Sequence, residues 1–161
     1  MNKQHHYNVN VTWTGNNGEG TKTYRSYRRD HVIAKDGALE IPGSSDPTFR
    51  GDRTRYNPED CLVAALSSCH MLSYLHLCAI NNIVVTDYRD DAIGTMQEHE
   101  NGSGNFTKVV LRPRMTIVAG DRDKAIELHH QAHELCFIAN SVNFPVECAP
   151  EIIVATSAAS K

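Results

Sequence analysis

Between Asn57 and Ile80 the sequence reads NPEDCLVAALSSCHMLSYLHLCAI, and little in it is suited to water. Asn57 can cap a helix, Pro58 suits the first turn, and Glu59 and Asp60 sit where the positive end of the helix dipole favours acids. From Cys61 onward the run has almost no polar face, so the pattern predicts a helix buried nearly all round. Asn81-Asn82 ends it. A helix of this kind needs cover from everything else the chain builds.

That cover reads mostly as strand. YNVNVTWTG (7–15) alternates apolar and polar residues, Asn16-Asn17-Gly18-Glu19-Gly20 is turn chemistry, and TKTYRSY alternates again, which predicts a hairpin. HVIAKDGALEI (31–41) reads as one bent strand or a short hairpin about Asp36-Gly37. PGSSDPTFRGDRTRY is a long polar loop, and loops of that length are usually functional or clamped. After the helix, IVVTDYRDDAIGTMQEHE and NFTKVVLRPRMTIVA read as two long strands joined at NGSGN. Asp121 can cap a second helix running to about Ala139, with an apolar stripe of Ala125, Leu128, Ala132, Leu135 and Cys136. EIIVATS closes the order βββ–α–ββ–α–β. With no repeat and no linker, residues 1–161 read as a single α+β domain, helices against a mainly antiparallel sheet.

Composition narrows the class of function. A net charge of −3 offers no footprint for nucleic acid or an anionic membrane. No signal peptide is visible at the N-terminus, and no run of about 18 apolar residues reads as a membrane span. A cytoplasmic location is expected. There the five cysteines are expected to be free thiols, any disulfide among them being transient and chemical.

Three of those thiols lie on the first helix. At about 100° per residue, Cys61 and Cys69 differ by roughly 80° around it, and Cys69 and Cys78 by about 180°. They cannot serve one site within one helix, and Cys61, Cys78 and Cys148 read as small buried hydrophobes. Cys69 has different neighbours: small Ser67 and Ser68 precede it, and His70 adjoins it. Cys136, on the stripe of the second helix, is the natural second thiol if the helices pack, although spacing alone does not establish the pair.

NPEDCLVAALSSC resembles the signature of the OsmC/Ohr family, the osmotically induced and organic hydroperoxide resistance proteins. Asn57-Pro58-Glu59 leads through an alanine-rich helix to Cys69 at the family's spacing, and Cys136 in AHELCFIANSV resembles the family's second cysteine. Phe137-Ile138-Ala139-Asn140 departs from the proline that often follows that cysteine, which marks a divergent OsmC-like branch. The resemblance implies an OsmC-like α+β fold, mainly antiparallel sheets packed on long central helices, in an intertwined homodimer.

It also implies an activity. Members are cysteine peroxidases of the oxidative stress response, in which the first cysteine attacks a hydroperoxide as thiolate and becomes a sulfenic acid. The second then closes a disulfide that an external dithiol reduces, with no resident cofactor or metal. Cys69 and Cys136 match these roles. A cysteine in mid-helix gets little help from the dipole, so a cation has to be brought to it; the family uses an arginine held by the motif glutamate. Glu59 matches the glutamate, and TFRGD points to Arg50, with Arg53 in reserve. Ten residues, about 15 Å of helix, separate Glu59 from Cys69, so the sites are expected at a subunit interface.

Two other classes compete. His129, His133 and Cys136 fall at i, i+4 and i+7, a set suited to zinc or copper and open to completion by Cys69 or His70. A small-molecule or lipid binding module without strong peroxidase activity is the other. His70, His76 and His99 read as packing or solvated residues rather than acid–base catalysts.

Overall fold

The computed structural model describes residues 3–155. The chain divides after Cys61 into two compact units, and the boundary falls within the first turns of a continuous helix.

In the first unit, β1 (Asn10–Trp13) pairs antiparallel with β2 (His31–Ala34), and β2 with β3 (Ile41–Gly43). The Asp36-Gly37 alternative is a hairpin, with Gly37 at φ 73°, where a side chain would be strained. The other expected hairpin does not form. TKTYRSY is a loop, and β1 takes its partner from β2 instead. Local bonds explain the loop: Asn16 Oδ1 accepts from the amides of Gly18 and Gly20 at 2.9 and 3.0 Å. The Arg29 guanidinium lies 4.1 and 4.2 Å from the ring centres of Tyr24 and Tyr27 and donates to both their carbonyls. Folding two tyrosines around one cation spoils the alternation a strand requires. The long polar loop is clamped as well. Buried Ser44 donates to Asp30 Oδ1 (3.3 Å) and accepts from the Asp52 amide (3.1 Å).

The second unit contains most of α1 (Pro58–Ile80). Its cap is reciprocal: Asn57 Oδ1 accepts from the Asp60 amide at 2.7 Å, and Asp60 Oδ2 accepts from the Asn57 amide. Asn82 at φ 58° ends it, with the Ile83 amide donating to the Cys78 carbonyl. β4 (Val84–Asp90), β5 (Ile93–Glu98), β6 (Gly104–Leu111) and β7 (Pro113–Ala119) follow, then α2 (Arg122–Leu135), β8 (Val146–Cys148) and β9 (Glu151–Val154). They form two sheets, β4-β7-β9 and β5-β6-β8. Each expected long strand is therefore two strands. At the break Asp90 Oδ1 takes the Arg112 amide (2.7 Å) out of the ladder, and Pro113 has no amide to give. The expected last strand is β9, and β8, ahead of Pro150, is an addition to the expected order; β8 runs parallel to β6 and β9 parallel to β7. The other four pairings are antiparallel.

Two apolar clusters hold this unit. One joins Tyr74, Leu77 and Cys78 of α1 to Met115 and Ile117 of β7 and to Ala125, Leu128 and Ala132 of α2. The other joins Leu66 to Val109 and Leu111 of β6 and to Ile138, Val142 and Phe144. Each fully buried Leu or Ile contributes about 1.5–3 kcal/mol. Among the described residues, every buried hydrophobic side chain lies at Leu66 or beyond, whereas Tyr7, Val9, Val11 and Leu39 of the first unit are exposed.

The expected burial of α1 on all sides is corrected. Leu66, His70, Tyr74, Leu77 and Cys78 are buried, but Ala64, Ser68, Leu72, His76 and Ile80, spaced by four, are exposed in the single chain. By length and composition α1 is also apolar enough to cross a membrane, a test that core helices pass too. The reading of the second helix is shortened: α2 stops at Leu135, and Cys136 follows in extended conformation at φ −72°, ψ 105°.

Candidate active site

Cys69 is half-buried on α1, one residue before the buried face that runs through His70 and Tyr74. Cys136, 1% exposed, sits just beyond α2, where its amide donates to the His133 carbonyl and the Ala139 amide donates to its Sγ at 3.4 Å. Both are free thiols. They lie side by side: burial first, and then the neighbouring Cys69 side chain, push the Cys136 thiol up, while the amides of Ala139 and Ile138 pull it back. α1 brings one sulfur and the turn after α2 brings the other, 67 residues later in the chain (136 − 69). Two neighbouring thiols can exchange electrons through a disulfide.

The two charged residues expected at the site belong to the first unit. Arg50 closes a 3-10 turn (Pro47–Phe49) in left-handed conformation, φ 66°, with its guanidinium 6.0 Å from the Tyr24 ring centre. Glu59 is half-buried in the first turn of α1. Among the described residues, neither Arg50 nor Arg53 is ion-paired to Glu59.

The structure gathers a third thiol that the sequence reading treated as filler. Cys148 Sγ, at the end of β8, is 3.6 Å from His70 Nε2 and 3.9 Å from His129 Nδ1, and these two nitrogens are 2.9 Å apart. His70 is 0% and His129 2% exposed, and the Tyr74 ring stacks on His129 at 3.8 Å. Burial pulls His70 down to about 4, against Asp90 and with His133; burial, His70 and His130 pull His129 down to about 3. Burial and then Asp90 push Cys148 up to about 12. All three are uncharged near neutrality. Among the described residues, His70 Nδ1 and His129 Nε2 have no hydrogen-bond partner.

Of the metal-ligand set read from the sequence, His129 and the completing residue His70 come together, but His133 is not in the group, and Cys136 is off the helix face that the i, i+7 spacing assumed. One local signal was available: His70 falls on the stripe of Leu66, Tyr74 and Leu77, and a histidine there is buried. Nothing local marked Cys148, whose place depends on the parallel register that sets it beside Leu111. Cys78 lies in the core with its thiol pushed up by burial, as expected of packing; Cys61, also pushed up by burial and by Asp60 and Glu59, is only half-buried in the first turns of α1 and belongs to neither apolar cluster.

Residues 51–151 match the family model described as OsmC-like protein. The organic hydroperoxide resistance protein OhrB of Bacillus subtilis is 25% identical over 114 residues, 71% of this chain and 82% of that protein. Among solved structures, an OsmC-like protein of unknown function from Vibrio cholerae is 36% identical with a TM-score of 0.80, covering 93% of this chain and 100% of that one. An organic hydroperoxide resistance protein from Elizabethkingia anophelis shares the fold at 20% identity and a TM-score of 0.65, covering 95% of this chain and all of that one. The two helices and mixed sheets are thus those of an OsmC-like α+β fold. With the model spanning most of the chain and the architecture shared throughout, this protein belongs to the OsmC-like family.

Proposed function

We propose that this protein is a thiol-dependent peroxidase that reduces organic hydroperoxides, with Cys69 as the attacking and Cys136 as the resolving cysteine. The observation that carries the reading is the side-by-side placement of these two free thiols from distant parts of the chain. The Cys69 thiolate attacks one peroxide oxygen, the O–O bond breaks, and an alcohol leaves once its oxygen takes a proton. The resulting sulfenic acid loses its oxygen as water when the Cys136 sulfur bonds to Cys69. An external dithiol then reduces the disulfide, with its two electrons and two protons restoring both thiols.

The rest of the site follows in the same reading. Arg50, with Arg53 as the alternative, provides the cation for the Cys69 thiolate and for the departing alkoxide, and Glu59 orients it. A second copy of the chain carries these groups to the thiols, since about 15 Å of helix separates Glu59 from Cys69. Two features favour such a homodimer. The exposed stripe at Ala64, Ser68, Leu72, His76 and Ile80 lacks cover in one chain, and the first unit has exposed apolar strand residues in place of an apolar core. Leu66, Ile138, Ala139, Val142 and Phe144, clustered in the sequence neighbourhoods of the two thiols, favour an organic peroxide over hydrogen peroxide.

The deciding experiment follows consumption of tert-butyl hydroperoxide by the native protein with a dithiol present, beside Cys69→Ser. Mass spectrometry after one equivalent of peroxide is expected to find a Cys69–Cys136 cross-link. Undiminished consumption by Cys69→Ser would end this reading.

A further inference from the structure

We propose that His70 Nε2, His129 Nδ1 and Cys148 Sγ form a zinc site, distinct in all its atoms from the Cys69–Cys136 pair. The three donor atoms lie within 4.8 Å of one another and come from α1, α2 and β8. Tetrahedral zinc, with bonds of about 2.05 Å to nitrogen and about 2.3 Å to sulfur, holds its nitrogens about 3.3 Å apart and its sulfur about 3.6 Å from each. The sulfur stands at 3.6 and 3.9 Å and the nitrogens at 2.9 Å, so the imidazoles need to part by only about 0.4 Å.

The two facing nitrogens can share one N–H···N bond in either tautomer choice, but that bond leaves the Cys148 sulfur beside them unused. The outward nitrogens, His70 Nδ1 and His129 Nε2, have no hydrogen-bond partner among the described residues with or without an ion between the rings. A cation between them uses both inward lone pairs and the sulfur together. The electrostatics suit one. Both imidazoles are buried, where a positive charge on the ring itself is disfavoured, and the Asp90 carboxylate directs its negative field at His70 and Cys148. Only the Cys148 proton has to leave, so one ion displaces one proton. Two imidazoles and one thiolate suit zinc and exclude hard cations such as magnesium and calcium. Tyr74, stacked on His129, holds that ring in place, and half-buried Cys148 is the least enclosed of the three ligands.

The test uses the full chain without an affinity tag, stripped by a chelator and titrated with zinc against a chromophoric competitor. One zinc per chain is expected, with one proton released and affinity falling on the order of 100-fold in Cys148→Ser. Cobalt(II) as a probe should show a thiolate-to-metal charge-transfer band that Cys148→Ser lacks. His5→Ala/His6→Ala removes an exposed N-terminal pair, and Cys69→Ser/Cys136→Ser removes the redox pair; both variants should keep zinc. The proposal is overturned if the native protein fails to bind, if either control loses the ion, or if native cobalt protein shows no thiolate band. That last measurement needs no variant to fold. None of these readouts uses peroxide, so this result and the peroxidase result stand or fall separately.

Discussion

Cys136 and Cys148 are twelve residues apart, both thiols are pushed up by burial, and each sits beside a second reactive group. Their partners differ. Cys136 meets Cys69, a sulfur, and two sulfurs can store an electron pair as a bond. Cys148 meets two imidazoles, which offer lone pairs and no redox chemistry of their own. The contrast is that burial alone says little about what a cysteine is for. Chemistry is set by what the tertiary structure places beside the sulfur. Cys78 is buried as well, but the polar group beside it is the Tyr74 phenol, and it fits neither use.

That contrast is open to attack by substitution. The deepest effect is expected for Cys69→Ser, which should cut peroxide turnover by roughly 10³-fold or more, measured as steady-state consumption with dithiol in excess. If Cys148→Ser fell as far, the division between the two sulfur sites would collapse. Next is Arg50→Ala, with an expected loss on the order of 10²-fold in kcat/KM from the missing transition-state charge. An unchanged value there, with a loss in Arg53→Ala, would move the role to the reserve arginine. Leu72→Glu places a charge on the exposed stripe of α1. It should shift the protein to a monomer in sedimentation and lower activity about tenfold if the subunit interface completes the site. Disulfide closure after a peroxide pulse should quicken as pH rises from 7 to 10, by up to about tenfold per unit, in stopped-flow measurements. The sign follows from the raised Cys136 thiol: near neutrality it is almost wholly protonated, and each added unit of pH increases its thiolate. A flat profile would place the slow step elsewhere. The smallest effect is expected for Cys148→Ser, within about twofold of native peroxidase activity, because its sulfur belongs to the other cluster.

Legibility in the sequence followed the range of the interaction. The caps at Asn57 and Asp121 were readable because a side-chain oxygen bonds an amide three residues on, and both bonds form. The hairpin at Asp36-Gly37 was readable as one of two alternatives, because a glycine suits the positive φ of its turn. The second strand expected at TKTYRSY was not, because its alternation was overridden by Arg29 drawing Tyr24 and Tyr27 together. The strand break near Pro113 left a visible breaker, but the role of Asp90 in capturing the Arg112 amide did not show. The set His129, His133 and Cys136 failed because α2 ends at Leu135, one residue short of Cys136, which leaves the helix face that the i, i+7 spacing assumed.

Residue order by itself determined where α1 starts and stops, that it is too apolar to stand uncovered, and that thiols recur beside both helices. Those are consequences of local bonding and of composition, which act over a few residues. Tertiary structure alone decided which sulfur meets which partner. Cys148 reaches His70, 78 residues away in sequence, only because β8 pairs in parallel with β6. A parallel pairing closes a long loop whose register no short-range pattern encodes.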